Sequence, residues 1–238
     1  MFKKIIFIVA VFIIGMVGGI FADQIFWPYF VERPLFQQYN LEKQPIYLTE
    51  QKEIIVQENT ALVDTIEKVK KVVVGIVTKT KNGEIRRGSG LVVTNDGLII
   101  TLAELVPPGS DFNFYLNGKK VSFQILKRDW DKNLALIKIS DSALATAGFA
   151  QLENLKIGQR ILLVGLVCDE ETCLPTVDEG IIKSFNRQFI QTNLKENLVL
   201  TGSPLFNIAG EVIGISTIKT NGDVVIIPIT EIKTFLNL

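Results

Sequence analysis

The chain contains no histidine. That absence excludes every reaction that depends on an imidazole as general base or acid, and every zinc site built on histidine. It has only two cysteines, Cys168 and Cys173, too few for a thiolate zinc site or a scaffold of several bridges. It has no surplus of either charge. Its 25 basic and 25 acidic residues give a formal net charge of zero, which removes the electrostatic footprint of a nucleic-acid binder. No nucleic-acid partner, no metal and no cofactor are therefore expected. What remains is an ordinary globular balance, 47% hydrophobic and 21% charged over 238 residues, enough for one large domain or two small ones.

The first thirty residues differ from the rest. Residues 5–22, IIFIVAVFIIGMVGGIFA, hold no charge and as a helix would span about 27 Å, close to the thickness of a bilayer core. Phe26, Trp27, Tyr29 and Phe30 follow where an interfacial aromatic belt would sit. Lys3 and Lys4 precede the span and Asp23 follows it, so the positive-inside bias keeps the N-terminus cytoplasmic and exports the remainder. The competing reading is a cleaved signal peptide cut at Ala22. The apolar stretch is long for a signal core, and Ile20 is not the small residue expected two positions before the cut. Residues 1–30 are read as an uncleaved membrane anchor, and both readings place the rest outside the cytoplasm, in the periplasm or at the cell surface. Gly15 and Gly19 form a GxxxG pair that would let two anchors pack into a homo-oligomer, although glycine is also simply common in spanning helices.

Residues 31–58 read as a tether. Pro34 and Pro45 interrupt any helix there, and the segment would reach about 90 Å if fully extended. From residue 59 the pattern changes. Leu62, Val63, Ile66 and Val69 fall on one face of a short helix, with Glu67 and Lys71 as an i,i+4 pair. After it come many short β-branched runs, broken by the turn signals Asn82-Gly83, Asn95-Asp96-Gly97 and Asn117-Gly118. The runs include 72–78, 91–94, 98–101, 121–126, 134–139, 161–165, 180–183, 189–192, 211–218 and 224–229, with a closing helix expected over 231–238. Short strands at this spacing predict an all-β barrel or sandwich.

Several of these stretches resemble the HtrA/Deg type of trypsin-like serine protease. Arg87-Gly-Ser-Gly90 leading through Asn95-Asp-Gly97 to Thr101 is similar to that family's strand and hairpin before its histidine. Leu134-Ala-Leu-Ile-Lys-Ile139 is similar to the strand after its aspartate. Ile190-Gln-Thr192, Pro204-Leu-Phe-Asn207 and Gly210-Glu-Val-Ile-Gly-Ile215 resemble the surroundings of its serine, and Val225-Ile-Ile-Pro-Ile229 its last strand. The matches run in order from about residue 59 to 235. They imply an all-β domain over 59–238 made of two six-stranded barrels, about 59–147 and 148–238, with a site in the cleft between them.

The resemblance also shows what has changed. The family's T-N-A-H-V-V reads Thr101-Leu-Ala-Glu-Leu-Val106, so Glu104 occupies the histidine position. The aspartate position is Asn133. The segment G-N-S-G-G-P-L reads Val199-Leu-Thr-Gly-Ser-Pro-Leu205, which puts Thr201 at the serine position and Val199 and Leu200 at the oxyanion positions. A serine-type nucleophile needs a base with a pKa near ambient pH, whereas a glutamate ordinarily titrates near 4.3. Asparagine has no histidine to orient. Threonine carries an extra methyl that restricts χ1, and valine resists backbone conformations that glycine accepts. Loss of one oxyanion donor alone costs about 10²–10³ in rate. No catalytic residue of triad type is therefore expected. A lysine base, Lys195 or Lys183, is conceivable, but no spacing supports it.

Two readings of function follow. In the first, the domain is a non-catalytic, membrane-tethered module that binds a peptide or protein in the cleft. The resemblance implies that such a ligand adds as a strand along Ser216-Thr217-Ile218, which requires no catalytic residue. In the second, it is an envelope endopeptidase with a non-standard Thr201/Glu104 site. No peptide-sensing module is expected after the last strand, since the chain ends at Leu238. Cys168 and Cys173 bracket an acidic loop and, once exported, are expected to form a local disulfide, the alternative being two free thiols. Asp169, Glu170 and Glu171 in that loop carry no spaced oxygen-ligand pattern for calcium. Arg86 and Arg87, with Lys79 and Lys81, read as a solvated hairpin face.

Overall fold

The computed structural model describes residues 2–24, 60–169, 172–195, 198–218 and 224–238. The expected aromatic belt at residues 26–30, the tether over 31–58, and Glu170 and Glu171 lie outside the described residues. The chain divides into two units, Met1–Gln57 and Glu58–Leu238.

In the first unit, α1 runs from Phe2 to Phe21 and continues as a π-helical turn over 22–24. None of its residues is buried. Its twenty residues rise about 30 Å, and among the described residues it is the one helix long and apolar enough to cross a membrane, with a mean hydropathy of 2.9.

The second unit opens with α2 over residues 60–69. Val69 is buried and Leu62 and Ile66 pack on the core, but Val63 is 58% exposed. The inward place is taken by Thr65, whose hydroxyl donates to the Ile208 carbonyl at 2.8 Å. The expected Glu67–Lys71 pair is replaced by Glu67–Lys70 at 2.6 Å, because the chain tightens into a 3₁₀ turn over Lys70–Val72 and i,i+3 neighbours then come together.

Seven strands follow: β1 Val73–Lys79, β2 Ile85–Val92, β3 Leu98–Thr101, β4 Asp111–Leu116, β5 Lys119–Val121, β6 Phe123–Asp129 and β7 Leu134–Ile139. They form an antiparallel sheet in the order β5-β4-β1-β2-β3-β7-β6. Its two edge strands are one stretch of chain interrupted only at Ser122, whose carbonyl accepts the Ser140 N–H at 3.2 Å. Counted as a single bent strand, they bring the number to the expected six and draw the two edges of the sheet together. Asn117 and Gly118 both adopt positive φ (50° and 75°) in the β4–β5 turn, as a tight hairpin of primed type requires.

The remaining strands are β8 Arg160–Cys168, β9 Cys173–Phe185, β10 Ile190–Thr192, β11 Pro204–Asn207, β12 Val212–Ile218 and β13 Val224–Pro228. They close into a barrel in the order β10-β13-β12-β11-β8-β9. β8 explains how the barrels join. After Arg160 its sequence ILLVGLVC is an unbroken apolar run, which suits a strand buried on both faces. Alternate residues Ile161 and Leu163 fill the second barrel, while Leu162, Val164 and Leu166 pack into the core of the first. α3 spans Ile229–Leu236, two residues earlier than expected, and buries Ile229, Ile232 and Phe235. Glu231 on α3 pairs with Lys132 of the first barrel at 2.9 Å.

Candidate active-site cleft

The two barrels face each other across a cavity of about 520 Å³ whose lining includes Glu104, Leu198, Val199, Thr201 and Ile218. Glu104 is placed by a 3₁₀ turn, Ala103–Leu105, that follows β3 after one buried residue, Leu102. Asn133 is placed in the turn before β7 with φ 52°, a left-handed conformation that asparagine tolerates better than most residues. The two residues clasp each other. The Glu104 N–H donates to Asn133 Oδ1 at 3.0 Å, and Asn133 Nδ2 donates back to Glu104 Oε1 at 2.9 Å. The main chain adds a third link, Ala103 N–H to the Asn133 carbonyl at 3.1 Å. Asn133 Nδ2 also reaches Thr217 Oγ1 at 3.4 Å, which brings β12 of the second barrel to the same point.

Thr201 is buried, 9% exposed, at the end of a 3₁₀ turn over Leu198–Leu200. Its N–H donates to the Leu198 carbonyl at 3.3 Å, and its carbonyl accepts the Ser89 N–H at 2.9 Å. Beyond it, the Ser203 N–H bonds the Leu200 carbonyl at 3.1 Å, and the Ser216 hydroxyl donates to that same carbonyl at 2.7 Å. The main chain of the segment is thus engaged, while the Ser203 hydroxyl is buried with no hydrogen-bond partner among the described residues. A hole that stabilises an oxyanion needs N–H donors aimed at the cavity, and the Thr201 donor is spent inside the turn. Among the described residues, no hydrogen bond joins Thr201 to Glu104. Beneath Thr201 a second void, lined in part by Leu163, Lys195, Leu200 and Ser216, holds only about 10 Å³. That is about the room of one water and too small for a substrate side chain.

The strand expected to receive a ligand is already partly used. The Ser216 N–H bonds the Ser203 carbonyl and its carbonyl accepts the Gly202 N–H, both at 2.9 Å. Thr217 and Ile218 pair with Val225 and Val224 of β13, and Ile218 also lines the cavity. Ser216 therefore serves the wall of the site, and Ile218 is the described residue of that edge at the opening.

Lys79, Lys81 and Arg86 are exposed, as a solvated hairpin face requires, but Arg87 is half-buried, and both arginines line the cavity. Two guanidinium nitrogens of Arg86 lie 3.0 Å from the two Glu84 oxygens. The hydrogen bonding holds the Glu84 carboxyl below its usual range and raises Arg86, to which the Glu104 charge adds. Arg87 Nε donates to the Cys168 carbonyl at 3.1 Å, bridging the barrels. Composition cannot reveal this role, because it depends on β2 standing beside the β8–β9 hairpin.

Cys168 and Cys173 face each other at the tip of that hairpin and are disulfide-bonded. Cys168 is 1% exposed and sits against β1, where a Cβ on Gly75 would meet its sulfur. Among the described residues no three acidic or thiol groups come together to hold a metal. Replacing both cysteines by serine should lower stability by about 2 kcal/mol, the entropy of so short a loop, as measured by the urea midpoint.

A model of the trypsin-like peptidase domain matches residues 88–215, more than half of the chain, and takes in Glu104, Asn133 and Thr201. The chain belongs to that family. Its relatives are of HtrA/Deg type. A probable periplasmic serine endoprotease, DegP-like, from Halomonas elongata is 32% identical over 139 residues, covering 55% of this chain and 29% of the relative. The serine protease HTRA1A of Danio rerio is 31% identical over 196 residues, covering 74% of this chain and 40% of the relative. The chain thus spans well under half the length of either. The crystal structure of Deg5 superposes with a TM-score of 0.65 at 22% identity, over 74% of this chain and 92% of that one, a likeness of fold. This trypsin-like domain therefore has the expected double-barrel frame.

Proposed function

We propose that this trypsin-like domain is a membrane-anchored, extracytoplasmic binding module that has lost peptidase activity. The observation that carries the reading is the state of the three positions where the resemblance puts the triad. Glu104 is tied to Asn133 in a reciprocal clasp, and among the described residues no base is hydrogen-bonded to Thr201, whose own N–H is spent on the Leu198 carbonyl. The Glu104 carboxylate and the Thr201 N–H are instead engaged by neighbouring groups of the cleft wall. The cleft itself persists, with a cavity of about 520 Å³, apolar walls from Val199 and Leu198, and the β12 edge at Ile218. A chain added along that edge gains main-chain hydrogen bonds without any chemistry.

The apolar helix Phe2–Phe21, with Lys3 and Lys4 at its start, supports anchoring with the N-terminus in the cytoplasm. The periplasmic assignment in the name of the Halomonas relative agrees with an exported domain.

Fluorescence anisotropy with labelled, unfolded casein tests this reading on the full chain in detergent micelles. Saturable binding, with the casein recovered intact on a gel, is the expected result. Absence of binding, or accumulation of fragments, contradicts it.

A further inference from the structure

Charge around the cleft is unevenly satisfied. Arg86 is occupied by both oxygens of Glu84. Glu104 is held through one oxygen by Asn133. Arg87 is different. It is half-buried and lines the cavity, and only its Nε is engaged, by the Cys168 carbonyl at 3.1 Å. Its two terminal nitrogens have no hydrogen-bond or ionic partner among the described residues. A guanidinium with Nε fixed and both ends free presents a pre-set fork, the shape that a carboxylate fits with two parallel hydrogen bonds.

The fork is held from behind. Cys168 is 1% exposed, bridged to Cys173 and packed against Gly75, so the carbonyl that grips Arg87 belongs to a rigid point. Little freedom remains to be lost when a ligand binds, which favours affinity. Beside the fork, the rim carries two exposed aliphatic side chains, Ile85 at 53% and Leu198 at 66%. The combination suits an acidic group next to apolar ones.

We propose that the cleft selects an extended peptide bearing an acidic side chain flanked by aliphatic residues, with its carboxylate held by the two terminal nitrogens of Arg87. This rests on the strand-addition reading above. Under that reading the chain passes along the β12 edge, so the carboxylate comes from a side chain and not from a chain end.

The test measures anisotropy of neutrally labelled peptides against the full chain in micelles. Three probes suffice: acetyl-Ser-Thr-Val-Glu-Leu-Thr-Ser-amide, its Gln analogue, and the Gln analogue with a free C-terminal carboxylate. The Glu peptide should bind about tenfold tighter than the capped Gln peptide, the worth of a charge-assisted pair. Arg87→Gln should abolish that preference, and Arg87→Lys, which keeps the charge but not the fork, should retain only part of it. Equal binding of the Glu and Gln peptides to the unaltered protein overturns the role of Arg87 while leaving strand addition standing. Tighter binding of the uncapped Gln peptide than of the Glu peptide overturns it in favour of a chain terminus. Failure of all three peptides to bind overturns the strand-addition reading itself.

Discussion

Asn133→Asp, the change that restores the family's aspartate, is expected to destabilise the domain by about 2–4 kcal/mol at pH 7. In most settings this exchange is nearly isosteric. Here Asn133 Nδ2 donates to Glu104 Oε1 at 2.9 Å, and a carboxylate in its place would set two negative oxygens against each other. It also removes the donor that reaches Thr217 Oγ1 at 3.4 Å. Like charges this close raise the pKa of one partner, so one carboxyl of the pair would titrate above its unfolded value of about 4. The sign of the pH dependence follows. The variant's deficit should be small in acid, where one carboxyl is protonated, and should grow as pH rises through the raised value. Glu104→Gln on top of Asn133→Asp exchanges donor and acceptor across the same contact and should recover most of the loss. Urea midpoints of the single and double variants at pH 4 and pH 7 provide the check. An Asn133→Asp protein as stable as the parent at pH 7 would mean that the clasp does not exist.

Gly202→Ala is expected to cost about 3 kcal/mol or more. Gly202 follows Thr201 with φ +76°, and a Cβ there would stand 2.5 Å from the Ser89 carbonyl and 2.8 Å from Leu105 Cδ1. The Ser89 carbonyl cannot withdraw. It accepts the Thr101 hydroxyl at 2.7 Å, its residue's N–H is bonded to the Thr201 carbonyl at 2.9 Å, and Ser89 Oγ accepts the Leu166 N–H at 3.0 Å. One serine therefore joins both barrels beneath the site, and Gly202 is the place where a methyl group would wedge them apart. Gly83→Ala supplies the control. Gly83 has a similar φ of +83° but nothing within 4 Å of a new Cβ, so only the backbone penalty of about 1 kcal/mol remains. Similar losses at the two sites, read from urea midpoints, would refute the close inter-barrel approach.

The parts of this architecture that local chemistry dictates were readable in the chain. Asn117-Gly118 makes a tight turn because both residues tolerate positive φ, and β8 after Arg160 is an unbroken apolar run because it serves two cores. The neighbourhood of Glu104 and Asn133 was readable only through the resemblance, since 29 residues separate them and no spacing rule joins them. What lay beyond reading was settled by partners distant in sequence. Val63 turned outward and Thr65 inward because the Ile208 carbonyl offers a bond on that face. Arg87 left the solvated hairpin for the cleft because the β8–β9 tip supplies an acceptor. The Thr201 N–H turned away from the cavity because Leu198–Leu200 coils into a 3₁₀ turn, a choice that residue identities alone leave open.

The reading of a binding module without peptidase chemistry is tested most directly by turnover. Purified full chain in micelles, incubated with unfolded casein beside its Thr201→Ala variant, should release fragments from neither beyond the background of a mock purification. Hydrolysis by the parent chain that vanishes in Thr201→Ala would make Thr201 a working nucleophile and contradict the account.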